Sequence, residues 1–197
     1  MVFVRLSAPP KQILAVLGLP PGARTLASTP IGFTEHDPPD GWLVVTNRGL
    51  AIGQDPDVAT LPHTDWPEIE RIKLKRVQEA PKRGGAAWLS VHLVGQGKGP
   101  DHRILLPNAA QRVASVINER LMASITAIEH LEVAGVTVRG AVRRDHERRL
   151  QVQVIVPAGP RSDLPEVQAT ARLLAERLSE AVGLRTEPGT WGHPHDV

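Results

Sequence analysis

Trp42-Leu43-Val44-Val45-Thr46-Asn47-Arg48-Gly49-Leu50 is the stretch on which the reading of the whole chain turns. Aliphatic and β-branched residues run up to Thr46, Asn-Arg-Gly interrupts them, and an apolar run resumes at Leu50, the pattern of two antiparallel strands joined by a tight turn. Asn47 and Gly49 are expected to supply the positive φ that tight hairpins need. Outward from this hairpin the pattern repeats over Thr25–Thr29, Trp42–Thr46, Leu50–Gly53, Val58–Leu61, Ile69–Val77, Ala87–Val94 and His102–Leu106. Short runs at this spacing predict an antiparallel meander, hence a barrel or sandwich. In the fifth run Ile72 and Leu74 alternate with Arg71, Lys73 and Lys75, so one face is expected to be buried and the other charged.

Helical signals bracket the meander. Ile13, Leu14, Val16 and Leu17 form a short apolar run halted by Gly18 and Pro20-Pro21-Gly22. After Pro107, Asn108 and Gln111 fit a helix cap, and Val113, Val116, Ile117, Leu121, Ile125 and Ile128 recur at three and four residues. This predicts one long amphipathic helix closing the mouth of the barrel. A second unit follows. Val136, Val138 and Val142 alternate with polar residues, as do Leu150, Val152, Val154 and Val156, with Arg144 to Arg148 as the tip of a hairpin. Pro165 opens a helix whose stripe is Val167, Ala171, Leu174, Leu178 and Val182, stopped at Gly183. The expected fold class is α+β: residues 1–128 as a barrel or roll closed by the helix, 129–185 as a β-β-α subdomain, and 186–197 as a disordered tail.

Composition excludes several functions. No Cys is present among the 197 residues, which removes disulfides, thiolate metal sites and a Cys nucleophile. Lys plus Arg is 23 against 21 acidic residues, a net charge of +2 that is small for a general nucleic-acid binder. There is no Tyr to interleave with the basic residues, which further argues against single-strand binding. The longest uncharged stretch, Gln12 to Ala23, contains two prolines and falls short of the ~20 apolar residues that span a bilayer. The N-terminus lacks the basic start of a signal peptide, so no transmembrane segment and a cytoplasmic location are expected.

The hairpin Trp42 to Leu50, followed by Trp66, Ile69 and Ile72 at the spacing Trp-x-x-Ile-x-x-Ile, resembles bacterial PH-like domains. The wider layout, through Glu119-Arg120-Leu121-Met122-Ala123-Ser124 and the trailing hairpin and helix, resembles an uncharacterised actinobacterial protein family. The resemblance implies an antiparallel β-barrel plugged by a helix, acting as a binding or scaffold module without catalysis, in many members near membranes.

The candidate ligand site is basic. Arg71, Lys73 and Lys75, extended by Arg76, Lys82 and Arg83, form a stripe suited to anionic headgroups or phosphate, although Glu68, Glu70 and Glu79 dilute it. The competing reading is a solvated strand face whose lysines block mispairing. Arg143, Arg144, Arg148 and Arg149 cluster at the second hairpin, but Asp145 and Glu147 sit among them, as in a self-neutralising tip. His63, Asp65 and His102 are the residues an enzyme reading would use, with no nucleophile identified. His193 and His195 have metal-ligand spacing around Pro194 but no rigid frame. Gly95 to Gly99 lacks phosphate-loop spacing, and no dinucleotide or hydrolase motif appears. Trp42, Trp66 and Trp88 read as core residues. The expectation is therefore a non-catalytic module for a protein partner, self or other, with no cofactor or metal. The alternative is peripheral attachment to an anionic membrane through the basic strand.

Overall fold

The computed structural model describes residues 9–32, 40–55, 58–77, 86–94, 102–106 and 111–184, the side chains of 54–60 and 111 excepted. It is α+β, with three antiparallel sheets and few helices. Two compact units divide it, one within Met1–Leu93 and Gly99–Ala123, the other chiefly from Ser124 onward.

In the first unit, α1 (Lys11–Val16) precedes β1 (Thr25–Ile31), β2 (Gly41–Thr46), β3 (Gly49–Asp55) and β4 (Val58–Asp65). These four strands form one sheet in sequence order. A 3-10 turn, Trp66–Glu68, redirects the chain into β5 (Ile69–Arg76), which forms a second sheet with β6 (Ala87–Leu93) and β7 (His102–Leu106). Pro67 favours this turn, and the Glu68 carboxylate accepts the Asp65 backbone N–H at 3.1 Å. The seven expected strands are all present, but they do not close into a barrel. Among the described residues β4 and β5 are unpaired with each other, and the two sheets meet through a single bridge, Gly32 with Leu105.

Alternation along the strands explains the packing. Leu43 and Val45 of β2, paired with Ile52 and Leu50 of β3, face a core shared with Leu89 and Val91 of β6 and Ile104 and Leu106 of β7. Trp42, Val44 and Ala51 face the other way and pack against Ile13 of α1 and Leu17 at its C-terminal end. The same core takes in Val113, Ile117 and Leu121 of α2 (Gln111–Ser124), so the helix covers core residues of both sheets. Each of these aliphatic side chains contributes roughly 1.5–3 kcal/mol by leaving water.

The turn after Trp42–Thr46 is built differently from the expectation. Neither Asn47 nor Gly49 has positive φ. Instead Thr46 Oγ1 accepts the backbone N–H of Arg48 at 3.1 Å and of Gly49 at 3.0 Å. Gly49 is required because a Cβ there would run into the Thr64 backbone carbonyl. Close approach of the neighbouring strand, not turn conformation, selects glycine.

The second unit departs further. Helix α2 ends at Ser124; Ile125 and Ile128, expected on that helix, lie on β8 (Ile125–Val133). The second unit is therefore β-β-β-α, with β8, β9 (Val136–Arg144), β10 (Leu150–Ile155) and α3 (Pro165–Ala181). The sheet order is β10-β9-β8, and α3 covers one face through Val167, Leu174 and Leu178 against Val138 and Val142. At Gly140 the helix comes so close that a Cβ would meet Leu178 and lie 2.9 Å from Leu174 Cγ. The expected tail, 186–197, lies outside the described residues.

Candidate functional site

Register places the basic residues of β5. Arg71 lies opposite His92, Lys73 opposite Ser90, and Lys75 opposite Trp88. On the far side of β6, Ser90 faces Arg103 and Trp88 faces Leu105. Directly paired residues share a face, so Arg71, Lys73, Lys75 and Arg103 stand on the side of the sheet opposite Leu89, Val91 and Ile104. Lys73, Lys75 and Arg103 are exposed. The Arg103 guanidinium lies 4.2 Å from the centroid of the Trp88 ring, a cation–π contact that holds it flat on the sheet. Like-signed side chains on neighbouring strands raise the local potential for an anion more than any one of them does.

One of the expected members needs correction. Arg76 pairs with Ala87, on the same side as Leu74, so it does not join the stripe. Lys82 and Arg83 lie outside the described residues. Arg71 Nε is 3.9 Å from Glu70 Oε1, a loose pair that leaves the stripe cationic. The face expected to be buried along β5 is only partly so: Ile72 packs half-buried against the core, while Leu74 is 50% exposed. β5 is an edge strand: among the described residues no strand pairs with its other side.

Arg103 and Trp88 were not legible as site residues. Arg103 sits on another strand, and Trp88 read as core. Trp66 does lie in the shared core, Trp42 packs half-buried by α1, and Trp88 lies half-buried on the outer face. Alternation with the buried Leu89 was the available signal for Trp88; Arg103 required the pairing itself.

The remaining candidates resolve into structural roles. His63, 4% exposed, has Nδ1 3.5 Å from Asp65 and Nε2 3.0 Å from Thr46 Oγ1. That hydroxyl also serves the hairpin turn, and Thr46 is fully buried, so the cluster ties β2 to β4. His102 lies on β7 in the other sheet. At the second hairpin, Asp145 accepts the backbone N–H groups of Glu147 and Arg149 at 2.8 and 2.9 Å and pairs with the Arg149 guanidinium at 2.7 Å. Burial pushes the Asp145 carboxyl up, but the Arg149 hydrogen bonds and charge together with the Glu147 N–H outweigh it and hold it below its ordinary range. Arg149 also reaches Glu147 at 2.9 Å, and Arg143 is buried with Nη1 donating to Ser124 Oγ at 3.2 Å. Arg144, Arg148 and Arg149 of that cluster are exposed. Among the described residues no group of three or more His, Asp or Glu side chains is arranged to hold a metal ion, and no helix is long and apolar enough to cross a membrane. His193 and His195 lie outside the described residues, as does Gly95 to Gly99.

No protein-family model matches the chain, and no curated protein matches it either.

Proposed function

We propose that the chain is a non-catalytic binding module for a protein partner, and that its first unit takes an acidic, extended segment of that partner along β5 and the face β5 shares with β6 and β7. The observation that carries the reading is the cross-strand grouping of Arg71, Lys73, Lys75 and Arg103 beside an open strand edge. An extended segment offers backbone groups to that edge, and its alternate acidic side chains meet Lys73 and Lys75 at the two-residue period of a strand. Leu74, half-exposed on the opposite side, gives an apolar residue of the same segment a place to rest. A lipid surface can use the cations but not the edge, and Trp88 is held flat under Arg103 rather than projecting for insertion. A PH-like reading of this unit belongs to the same proposal, supported by two antiparallel sheets that share a core with the helix that follows them.

The test is fluorescence anisotropy with a labelled twelve-residue peptide alternating Glu with Val, run beside sedimentation with phosphatidylserine vesicles. Peptide binding should weaken as salt rises, and Lys73→Glu with Lys75→Glu should reduce it at least about tenfold, or about 1.4 kcal/mol. Peptide binding indifferent to the double substitution overturns the proposal. Salt-sensitive binding to vesicles with none to the peptide transfers the face to the membrane reading.

A further inference from the structure

We infer that β8 is a self-pairing edge, through which two copies of this chain join as an antiparallel strand pair centred on Ile128. This rests on the second unit alone and is independent of the acidic-partner reading. β8 is nine residues long, and among the described residues β9 is the only strand paired with it.

The hairpin joining β8 to β9 fixes which backbone groups face outward. Its turn has two residues, Ala134 and Gly135, with φ of 51° and 72°, and Val133 pairs with Val136 across it. Positive φ at both central positions marks the type I′ turn, in which the flanking residues form a hydrogen-bonded pair. Pairs alternate along an antiparallel ladder, so Val133, Leu131 and Glu129 bond to β9. Glu132, His130 and Ile128 then turn their N–H and C=O toward the open edge.

Two features guard that edge in part, a bulge between Ile125 and Ala127 at its start and the inward-facing Glu129, whose carboxylate Arg177 meets at 2.9 Å; from Ala127 to Val133 the ladder is regular and the edge is open. Ile125–Val133 contains no Lys, Arg or Pro, and Ile128, at its middle, is 51% exposed. Its sequence is complementary to itself in one register. With Ile128 opposite its own copy, Ala127 meets Glu129 and Thr126, at the bulge, comes beside His130, so no like charges are opposed. Centring one residue later sets Glu129 against Glu129 in the closer, non-hydrogen-bonded type of pair, which repels. Centring on His130 sets Ile128 against Glu132. The occupant this strand fits is therefore a second copy of the chain.

Sedimentation velocity on the full chain tests the inference. The mass should rise with concentration from 21.3 kDa toward twice that value. Ile128→Lys opposes two ammonium groups at the centre and should weaken association at least about tenfold, with circular dichroism and melting unchanged because the site is exposed. Since the chain has no Cys, single-cysteine variants report the register directly. Ile128→Cys should cross-link under mild oxidation faster than Glu132→Cys, because facing hydrogen-bonded pairs sit about 5.5 Å apart at Cα, within disulfide reach. A monomer at every concentration, association untouched by Ile128→Lys, or faster cross-linking at position 132 each overturns it. The cross-linking arm stands even if the lysine variant fails to fold.

Discussion

β5 and β8 are both edge strands of three-stranded sheets, yet their surfaces carry opposite instructions. Along β5, Arg71, Lys73 and Lys75 would face their own kind in a second copy, so this edge repels itself and selects for acidic partners. Along β8 the charges are few and fall opposite neutral residues when the strand meets itself. The supports differ as well. β5 belongs to a unit whose core joins two sheets and α2, whereas β8 is backed by one sheet and α3 around Val138, Val142, Val167, Leu174 and Leu178. An open edge is thus not a function in itself; the residues at a period of two along it decide whether it excludes, admits or duplicates a partner.

The comparison breaks most readily at Gly140. Gly140→Ala drives a methyl group into Leu174 and Leu178, an overpacking that should cost about 1–3 kcal/mol. Calorimetry should find the second unit melting earlier and velocity runs should find association through β8 weakened, while binding of the acidic peptide at β5 stays within about twofold. Loss of both together would mean that the two edges are not independent. A smaller change sharpens the β8 side: Ala134 holds φ of 51° without being glycine, so Ala134→Gly should stabilise the hairpin by up to about 1 kcal/mol, read as a higher denaturant midpoint at unchanged slope. The smallest effect concerns the far end of β9. Asp145 is held below the ordinary carboxylate range, so its contribution is complete above the unfolded value near 3.8 and disappears as pH falls through the lower folded value. Melting of Asp145→Asn should therefore trail the parent by less than about 1 kcal/mol at neutral pH, and the gap should close below about pH 4.

Most strands were legible because alternation and punctuation by Gly, Pro and Asn are local signals. Where local signals competed, the longer period misled. Ile125 and Ile128 continue the α2 stripe at intervals of four and three, but Ile125, Ala127, Leu131 and Val133 also fit a strand, with Glu129 in the middle masking the alternation. Glu129 is accommodated on the helix-facing side because Arg177 of α3 meets it at 2.9 Å, a partner 48 positions away that no window along the chain contains. The turn at Ala134-Gly135 carries no clear local signal for a related reason: alanine is a poor marker of positive φ, and the conformation is imposed by the pairing of Val133 with Val136.

The candidate site divides in the same way. Arg71, Lys73 and Lys75 announce themselves as a row because strand geometry repeats every two residues, and Arg76 falls off the row by the same rule. Arg103 and Trp88 join it only through the ladders that lay β6 between β5 and β7.

The order of residues by itself determined the elements: an antiparallel, strand-rich first unit, a helix with one apolar stripe, a smaller second unit ending in a helix, and a chain without thiol chemistry. Periodicity and backbone stereochemistry act over a few residues, which is why they can be read directly. Tertiary structure decided that the first seven strands form two open sheets, that the helix stops at Ser124, and which charges share a surface. Those outcomes depend on hydrogen bonds and contacts between residues distant along the chain, whose energies exist only once the strands have been laid side by side.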